Sequence, residues 1–473
     1  MNLLLVEDSP QIVDVFEHFC RKNSIDLTVT RSLLSASNAI RDKEIDLDAV
    51  ICDLKIPSED HSVDLEDAHG LLVVDLLEKE IPGVPVLVLS AFGSVPLLSQ
   101  MLVRARRADI LGTGTDTPML RFVDKPNLKE AHDFLIEIKL GLDQLAQIEL
   151  IGCENLTPHQ CRTIKIFARP RRGAIARFQT LAGGLSGAQT GVLTIDDESG
   201  SRVGHVVAKI TTNERAVEEE GRYSSSISSR LGAGTYADLG ARVTSGCGRA
   251  AALFYSVADT YRSDLFGLLN ENSARAASAV AQLQNYLVPW THAVPHTSRS
   301  WLDVRRELIN DEDNDSIGER YDLVEIDDTR RFQAVWSTVH GDLHGANVLV
   351  DSTDRPVLID YGRSGLGPSC LDPITLELSI LFHKDSKLKA NPWPSVEQLQ
   401  RWGDIDSYVI DCPYGEYLRA CRSWTTDVSA ATRDVWATVA AYCRRNLRYD
   451  DIDNERAVTL HNYAATKLNE SFS

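Results

Sequence analysis

Residues 1–147 alternate short, continuous apolar runs with amphipathic stretches, and this alternation constrains the fold more than any other feature of the chain. Runs such as LLLV, AVICDL and VPVLVLSA have no polar face, which is typical of strands buried on both sides of a parallel sheet. The stretches between them carry helical periodicity. The pattern predicts a doubly wound α/β sandwich around a five-stranded parallel sheet.

Polar side chains stand where the strands of this predicted sheet end. Glu7 and Asp8 follow the first strand, Asp53 and Ser90 end the third and fourth, and Lys125 follows the fifth. Loops converge at the carboxyl ends of parallel strands, so these side chains are expected to share a pocket. Close carboxylates require a cation, which predicts Mg²⁺ held by Glu7, Asp8 and Asp53. Asp53 is the expected phosphate acceptor, with Lys125 and Ser90 neutralising the phosphate oxygens.

These residues, in this order, resemble the receiver domain of two-component response regulators over residues 1 to about 130. The resemblance implies a flavodoxin-like fold and a phosphodonor such as a cognate sensor histidine kinase. It also places Phe122 at the aromatic switch position, although a plain core aromatic on the fifth strand explains Phe122 equally well. Long loops after Asp53 and before Lys125 depart from the family pattern. They either recognise a particular partner kinase or weaken phosphorylation.

The pattern changes near residue 150. Thr157 and Pro158 predict the start of a helix, and a hairpin-like pattern follows from Phe178 onward. Beyond about Asp259 the chain is largely helical. We therefore expect three domains, at residues 1–147, 148–258 and 259–473. The acidic stretch at 310–316 is expected to be a solvated loop.

The segment VHGDLHGANVLVDSTDRPVLIDYG, residues 339–362, carries the strongest chemical signal. Asp342 and Asn347 have the spacing of a kinase catalytic loop, and Asp360 opens a DYG turn. Phosphoryl transfer requires a carboxylate at the attacking hydroxyl and oxygen ligands for Mg²⁺. Asp342 is the expected base, Asn347 and Asp360 the expected metal ligands, and His340 the expected brace of the loop. A hairpin formed by VLVD and PVLID is expected to bring the two ligands to the same end.

The form HGDLHGANVL, with its second histidine at His344, resembles aminoglycoside and choline phosphotransferases. The resemblance implies a bilobal, α+β, protein-kinase-like fold that uses ATP, with Asp372 as a structural acid. Residues from about 150 to 473 also resemble ternary-complex-associated phosphotransferase-like domains of bacterial signalling and conflict systems. Glycines and a serine in a glycine-rich hairpin are expected to approach the ATP phosphates. They are Gly183, Gly184, Ser186 and Gly187.

The same resemblance assigns the remaining nucleotide contacts. Lys209 on the strand VVAKI is expected to pair with the α and β phosphates of ATP. A helix offers three acids, Glu218 to Glu220, as partners for Lys209. A helical stripe through Val217 and Ile227 favours Glu220, with Glu219 as the alternative. Backbone groups near Ser256 and Val257 are expected to meet adenine.

Bulk composition excludes several classes of protein. A net charge of −19 over 473 residues disfavours general nucleic-acid binding. The nine cysteines form no CxxC pair or cluster at metal spacing, which fits a reducing cytoplasm. No run approaches the roughly 18 apolar residues of a membrane span, so membrane insertion is not expected.

Together these patterns predict a response regulator whose output domain transfers phosphate from ATP to an unidentified hydroxyl acceptor under the control of Asp53 phosphorylation. A homodimer is compatible with this prediction. The alternatives are an ATP-binding pseudokinase scaffold and a signalling adaptor in a bacterial multi-protein complex. The chemical groups of an active kinase, above all Asp342, favour the enzyme.

Overall fold

The computed structural model describes residues 1–90, 106–181, 188–256, 261–384, 386 and 393–472. The chain forms two compact units. The first comprises Met1–Val217 and Leu239–Ser256, and the second Glu218–Asp238 and Val257–Ser473.

The first unit begins with the predicted doubly wound sandwich. Five parallel strands stand in the order β2-β1-β3-β4-β7. Helices follow β1, β2, β3 and β7, and a hairpin of the two-residue strands β5 and β6 precedes β7. The strands are β1 Asn2–Val6, β2 Asp26–Thr30, β3 Ala49–Asp53, β4 Val86–Ser90, β5 Arg107–Ala108, β6 Thr117–Pro118 and β7 Leu120–Asp124. The helices are α1 Pro10–Asn23, α2 Leu33–Arg41, α3 Asp67–Glu80 and α4 Leu128–Ala146.

Strand β1 shows why its apolar run is continuous. Successive side chains of a strand point to opposite faces, so Leu3 and Leu5 enter one core cluster and Leu4 and Val6 the other. All four side chains are almost completely buried. Both faces of the sheet are therefore covered, as the sequence predicts.

A six-stranded sheet follows, in the order β12-β13-β11-β10-β9-β8. Its strands are β8 Glu149–Ile151, β9 Ile175–Thr180, β10 Gln189–Asp196, β11 Arg202–Thr212, β12 Asp238–Val243 and β13 Ala250–Ser256. Helix α5, Pro158–Ala168, precedes β9, and α6, Asn213–Arg222, follows β11. The predicted start of α5 is confirmed, because Thr157 and Gln160 cap its first turn reciprocally.

The two sheets of the first unit share one hydrophobic core. The cluster that contains Leu3 and Phe134 extends without a break to Phe167 and Phe254, whose rings stack with centroids 3.8 Å apart. Strand β8 follows α4 after only two residues and pairs in parallel with β9. The flavodoxin-like part therefore passes directly into the six-stranded sheet.

A buried charge cluster stabilises the junction between the two sheets. Asp48, just before β3, accepts hydrogen bonds from Arg162 Nη1 at 2.6 Å and from the Asn2 amide at 2.7 Å, and lies 3.3 Å from His159 Nε2. Burial alone raises the pKa of Asp48, but the His159 and Arg162 contacts outweigh it and hold that pKa well below its usual range. Asp48 is thus ionised in the folded state.

Replacing Asp48 with asparagine is expected to destabilise the first unit by about 3 kcal/mol, because the half-buried Arg162 then loses its buried counter-charge. A carboxyl group whose folded pKa is depressed stabilises the fold above its unfolded pKa of about 4, and the contribution is lost as pH falls further. Urea unfolding at pH 6 and pH 3 measures both effects. Asp46→Asn is the matched control, because Asp46 also contacts His159 but is 41% exposed. An equal loss in both variants would contradict this account.

The second unit is mainly helical, with two small three-stranded sheets. Its strands are β14 Tyr261–Asp264, β15 His296–Ser300, β16 Arg331–Val339, β17 Val348–Asp351, β18 Pro356–Leu358 and β19 Gly365–Pro368. Its helices are α7 Leu265–Glu271, α8 Ser273–Thr291, α9 Trp301–Leu308, α10 Asp311–Arg320, α11 Leu371–Phe382, α12 Val396–Leu399, α13 Ile405–Tyr408, α14 Gly415–Val428, α15 Thr432–Asn446 and α16 Asn454–Glu470.

The acidic stretch at 310–316 is not a loop, so that expectation is wrong. Asn310 caps helix α10, three acids occupy its first turn, and Ile317 is buried. Negative side chains in a first turn are favoured by the positive end of the helix dipole.

The described helices include none with the length and apolar character needed to cross a bilayer.

Candidate functional site

The predicted strand-end pocket of the first unit is present. Lys125 Nζ donates to Asp53 Oδ2 at 2.7 Å and to Glu7 Oε1 at 3.1 Å. Carboxylate oxygens of Glu7, Asp8 and Asp53 lie within 4.8 Å of one another. Glu7 and Asp8 follow β1, Asp53 ends β3 and Lys125 follows β7, so the carboxyl ends of three strands meet here.

Burial makes this pocket electrostatically unfavourable without a cation. Glu7 is fully buried and Asp53 nearly so. Burial raises the pKa of both carboxyl groups, and the Asp53 charge raises that of Glu7 further. Burial works against the charged Lys125, but Asp53 and Glu7 outweigh it and raise the Lys125 pKa. Two buried carboxylates beside Asp8 exceed the charge of one ammonium, and oxygen ligands of this kind suit a hard divalent cation.

Ser90 and Phe122, which the prediction joins to Lys125 as switch residues, are described less fully. Ser90 ends β4, but its side chain lies outside the described residues. Phe122 on β7 is half-buried and packs against the core cluster that contains Leu4. A half-buried ring is compatible with either reading of Phe122, so its switch role stays a prediction.

In the second unit, the predicted catalytic loop runs between β16 and the hairpin of β17 and β18. Asn347 Nδ2 donates to the Asp342 carbonyl at 2.9 Å, and the Ile359 amide donates to the Asn347 carbonyl at 3.1 Å. Asp360 has a left-handed φ of 64° and accepts a long hydrogen bond, 3.4 Å, from the Gly362 amide. The hairpin therefore brings Asn347 next to the strand that leads into Asp360, as predicted.

Buried polar contacts fix the loop. Asp372 accepts hydrogen bonds from the amides of His340 at 2.8 Å and Gly341 at 3.0 Å, and His340 Nε2 donates to the Ile359 carbonyl at 2.9 Å. Gly341 has φ 78°, and a Cβ there would lie 2.5 Å from the Arg363 carbonyl oxygen. Only glycine fits this turn. The chain before Asp342 is thus held against both Asp372 and Arg363.

Arg445 of α15 is a site residue that the sequence did not reveal. Its Nη2 donates to Asp342 Oδ1 at 2.6 Å, and Nη1 donates to the Gly341 carbonyl at 3.3 Å. The Asp342 side chain is 33% exposed, whereas that of Arg445 is 8% exposed. Burial raises the pKa of Asp342, but the charge of Arg445, with a smaller contribution from Arg363, outweighs it and holds that pKa below its usual range. Asp342 is therefore a stable carboxylate.

His344 lies beside this carboxylate and packs against His383, with the rings tilted by 35° and their centroids 4.3 Å apart. Burial lowers the pKa of His344 to about 3. The imidazole is therefore neutral near pH 7 and adds no positive charge to the loop.

The nucleotide-binding residues expected before residue 260 are partly placed. Lys209 lies on β11, opposite Thr190 of β10 and Leu253 of β13, and only 5% of it is exposed. A buried lysine on a central strand is unusual and fits a dedicated partner. Ser256 ends β13 and is exposed. Gly183, Gly184, Ser186, Gly187 and Val257 lie outside the described residues.

The helical stripe that favoured Glu220 is not the buried face of helix α6. Val217, its first member, is 62% exposed, whereas Glu219 is 3% exposed and follows the buried Ala216 by three residues. The helix also changes to π geometry over Tyr223–Ser228, so a regular period from Val217 to Ile227 does not hold. Glu219, the alternative, is the buried acid of this helix.

Comparisons with known proteins agree with this division of chemistry along the chain. Residues 241–379 match the model of the Phosphotransferase enzyme family, a range that contains Asp342, Asn347, Asp360 and Asp372. The second part of the chain thus carries a phosphotransferase-family domain of kinase-like fold. No curated protein matches the chain significantly.

Solved receiver domains resemble the N-terminal part of the chain. A CheY-like receiver protein from Methanospirillum hungatei is 16% identical over 30% of this chain and 97% of its own, with a TM-score of 0.23. The non-phosphorylated HemR receiver domain from Leptospira biflexa is 22% identical over 29% and 92%, with a TM-score of 0.22. The BeF3-activated RstA receiver domain from Klebsiella pneumoniae is 18% identical over 30% and 98%, also at 0.22. The receiver fold of this region rests on its strand order and on its strand-end residues.

Proposed function

We propose that the chain is a response regulator in which phosphorylation of Asp53 controls a kinase-like domain that transfers phosphate from ATP to a hydroxyl acceptor. The division at residues 1–147, 148–258 and 259–473 is part of this proposal. The phosphodonor is a histidine kinase or another donor of its class, acting in the cytoplasm.

The receiver half of the proposal is supported by the contacts of Lys125. Its ammonium already lies 2.7 Å from Asp53, where it would neutralise an oxygen of the aspartyl phosphate. Glu7, Asp8 and Asp53 provide the carboxylate oxygens that Mg²⁺ prefers, and their mutual closeness supports a cation there. Bound Mg²⁺ would neutralise phosphate oxygens during attack by the Asp53 carboxylate.

The transferase half depends on the position of Asp342. Its carboxylate is ionised and partly exposed, so it can orient the acceptor hydroxyl and take its proton. Asn347 and Asp360 offer an amide and a carboxylate oxygen to Mg²⁺ on the nucleotide phosphates. His340 and Asp372 position the loop through their buried hydrogen bonds. Lys209 is the proposed anchor of the α and β phosphates, and Glu219 replaces Glu220 as its proposed partner.

The fixed catalytic loop, with Asn347 Nδ2 on the Asp342 carbonyl, is the observation that carries this function. It is tested by incubating the 473-residue chain with Mg²⁺ and γ-labelled ATP. The expected result is labelled product from a hydroxyl-bearing acceptor in a lysate fraction, and autophosphorylation is a second readout. ATP binding without any transfer would instead support the pseudokinase scaffold.

One contact favours the pseudokinase alternative. Arg445 occupies Oδ1 of Asp342, and an ion pair at 2.6 Å weakens a carboxylate as a base. The second oxygen, Oδ2, remains for the acceptor. A pseudokinase would need no accessible carboxylate at this position, so the 33% exposure of Asp342 supports the enzyme.

Control by the receiver is supported by the core cluster that the two sheets of the first unit share. Lys165 Nζ on α5 donates to the Ala146 carbonyl at the end of α4 at 3.3 Å, and Arg169 Nη1 donates to the Leu111 carbonyl at 2.8 Å. Helix α5 in turn packs on β11 and β13 of the six-stranded sheet. A change at the switch strand β7 therefore has a packed route to the strand that carries Lys209.

Beryllofluoride, which mimics the aspartyl phosphate, is expected to change ATP affinity or dimer state by roughly 5- to 150-fold, the usual range of coupling between two sites. Calorimetric ATP titrations and light scattering, each with and without the mimic, measure the two quantities. The Asp53→Asn variant serves as control and should give no response. If affinity and mass both stay constant in the wild type, the receiver is a docking module and the control mechanism is wrong.

A further inference from the structure

Two arginines of the second unit, Arg445 and Arg363, border the proposed catalytic base, and a third, Arg448, lies beside Arg445. Arg445 belongs to α15, Arg448 follows the end of that helix, and Arg363 follows Asp360 by three residues. The charge of Arg445 lowers the pKa of Arg363, and Arg448 acts in the same direction. Three positive side chains thus lie near one another, two of them beside the Asp342 carboxylate.

Two of these cations have partners within the chain. Arg445 pairs with Asp342 at 2.6 Å, and Arg448 Nη1 donates to Asp313 Oδ2 at 2.9 Å. Both side chains are largely buried, so the two ion pairs are parts of the fold.

Arg363 is different. It is exposed, and no residue in the described part of the chain accepts a hydrogen bond from its guanidinium or pairs with it. Its backbone is nevertheless fixed, because the carbonyl oxygen lies against Gly341, next to Asp342. A guanidinium whose backbone is fixed beside an ionised base, and whose donors are available, is suited to hold a carboxylate or phosphate group.

We propose that the acceptor is a small hydroxyl compound with an anionic carboxylate or phosphate group, which Arg363 binds while the hydroxyl faces Asp342. This assignment rests on the proposed transferase function. The acceptor oxygen forms a bond to the γ-phosphorus of ATP, the bond from that phosphorus to the β–γ bridging oxygen breaks, and ADP leaves with the electron pair. The hydroxyl proton passes to Asp342. A cationic acceptor of the aminoglycoside or choline kind is repelled by Arg363, whose charge has no partner in the described part of the chain.

The test compares four hydroxyl compounds with the 473-residue chain by calorimetry and in a labelled-ATP transfer assay. Glycerate and glycerol 3-phosphate are the anionic probes, glycerol is neutral and choline cationic. We expect saturable binding and transfer for at least one anion, and at least tenfold weaker binding of glycerol and choline. Glycerate and glycerol 3-phosphate together distinguish a carboxylate site from a phosphate site.

Arg363→Gln should weaken binding of the preferred anion by roughly 10- to 100-fold, the effect of losing hydrogen bonds to a charged group. Arg363→Lys should restore part of it, and Arg401→Gln, at another exposed arginine of the second unit, should leave it unchanged. The proposal is overturned if neither anion binds saturably, or if Arg363→Gln binds the anion as the wild type does. Arg363-dependent binding without transfer to any acceptor would instead disprove the transferase function and retain the anion site.

Discussion

Replacing Asp342 with asparagine is expected to lower phosphate transfer by roughly 10²- to 10⁴-fold, the usual contribution of a positioned general base. The amide cannot accept the hydroxyl proton, whereas the shape of the side chain is kept. Because Asp342 is not a proposed metal ligand, the Kd of ATP should change little. Initial rates with labelled ATP and a parallel ATP titration measure the two effects.

Two further variants make this result specific. The Asp328→Asn variant, which changes an exposed aspartate of the same unit, should keep full activity. Asp360→Asn should weaken Mg²⁺-dependent ATP binding, because a proposed metal ligand is lost. Transfer that survives in Asp342→Asn at the wild-type rate would show that Asp342 is not the base.

Replacing Asp53 with asparagine is expected to abolish phosphorylation of the receiver. The carboxylate is the nucleophile, and an amide cannot form an acyl phosphate. Incubation with labelled acetyl phosphate and Mg²⁺ should give a hydroxylamine-sensitive label on the wild type and none on Asp53→Asn. Asp14→Asn, at an exposed position on α1, should be labelled like the wild type. Equal labelling of Asp53→Asn would move the acceptor to another residue.

The residues at the ends of the parallel strands could be predicted because the carboxyl ends of all strands in a parallel sheet lie at one edge. This holds however far apart the strands are in the sequence. Once the apolar runs are identified as strands, Glu7, Asp8, Asp53 and Lys125 must lie at one edge. The hairpin between Asn347 and Asp360 was predictable for a similar reason, since two short apolar runs flank a turn. In both cases local pattern and tertiary position give the same answer.

The helical stripe that favoured Glu220 over Glu219 was misplaced because it assumed a regular helix. Adjacent residues on an α-helix differ by about 100° in direction, so the choice depends on the phase of the buried stripe. That phase was set from Ile227, which lies beyond the change to π geometry at Tyr223. The residues before the change, Ala216 and Glu219, give the correct phase.

Arg445 had no signal in the sequence near the site. It lies 103 residues after Asp342, and arginines in the last turn of a helix are ordinarily explained by the helix dipole. Only the packing of α15 against the catalytic loop reveals the ion pair. Pairs of this kind are set by tertiary structure and are not encoded in local periodicity.

Strand β8 has a consequence for how such a protein arises and changes. It is the edge strand of the six-stranded sheet, yet it continues directly from the last helix of the receiver fold. A recombination event that exchanged the receiver at residue 147 would bring in a foreign helix α4, which packs on α5. Phe134 and Ile138 on α4 are buried in the core that also contains Phe167 and Phe254. Exchange of receivers between such genes is therefore expected to succeed only when α4 and α5 are inherited together, so the unit of shuffling is larger than the receiver alone.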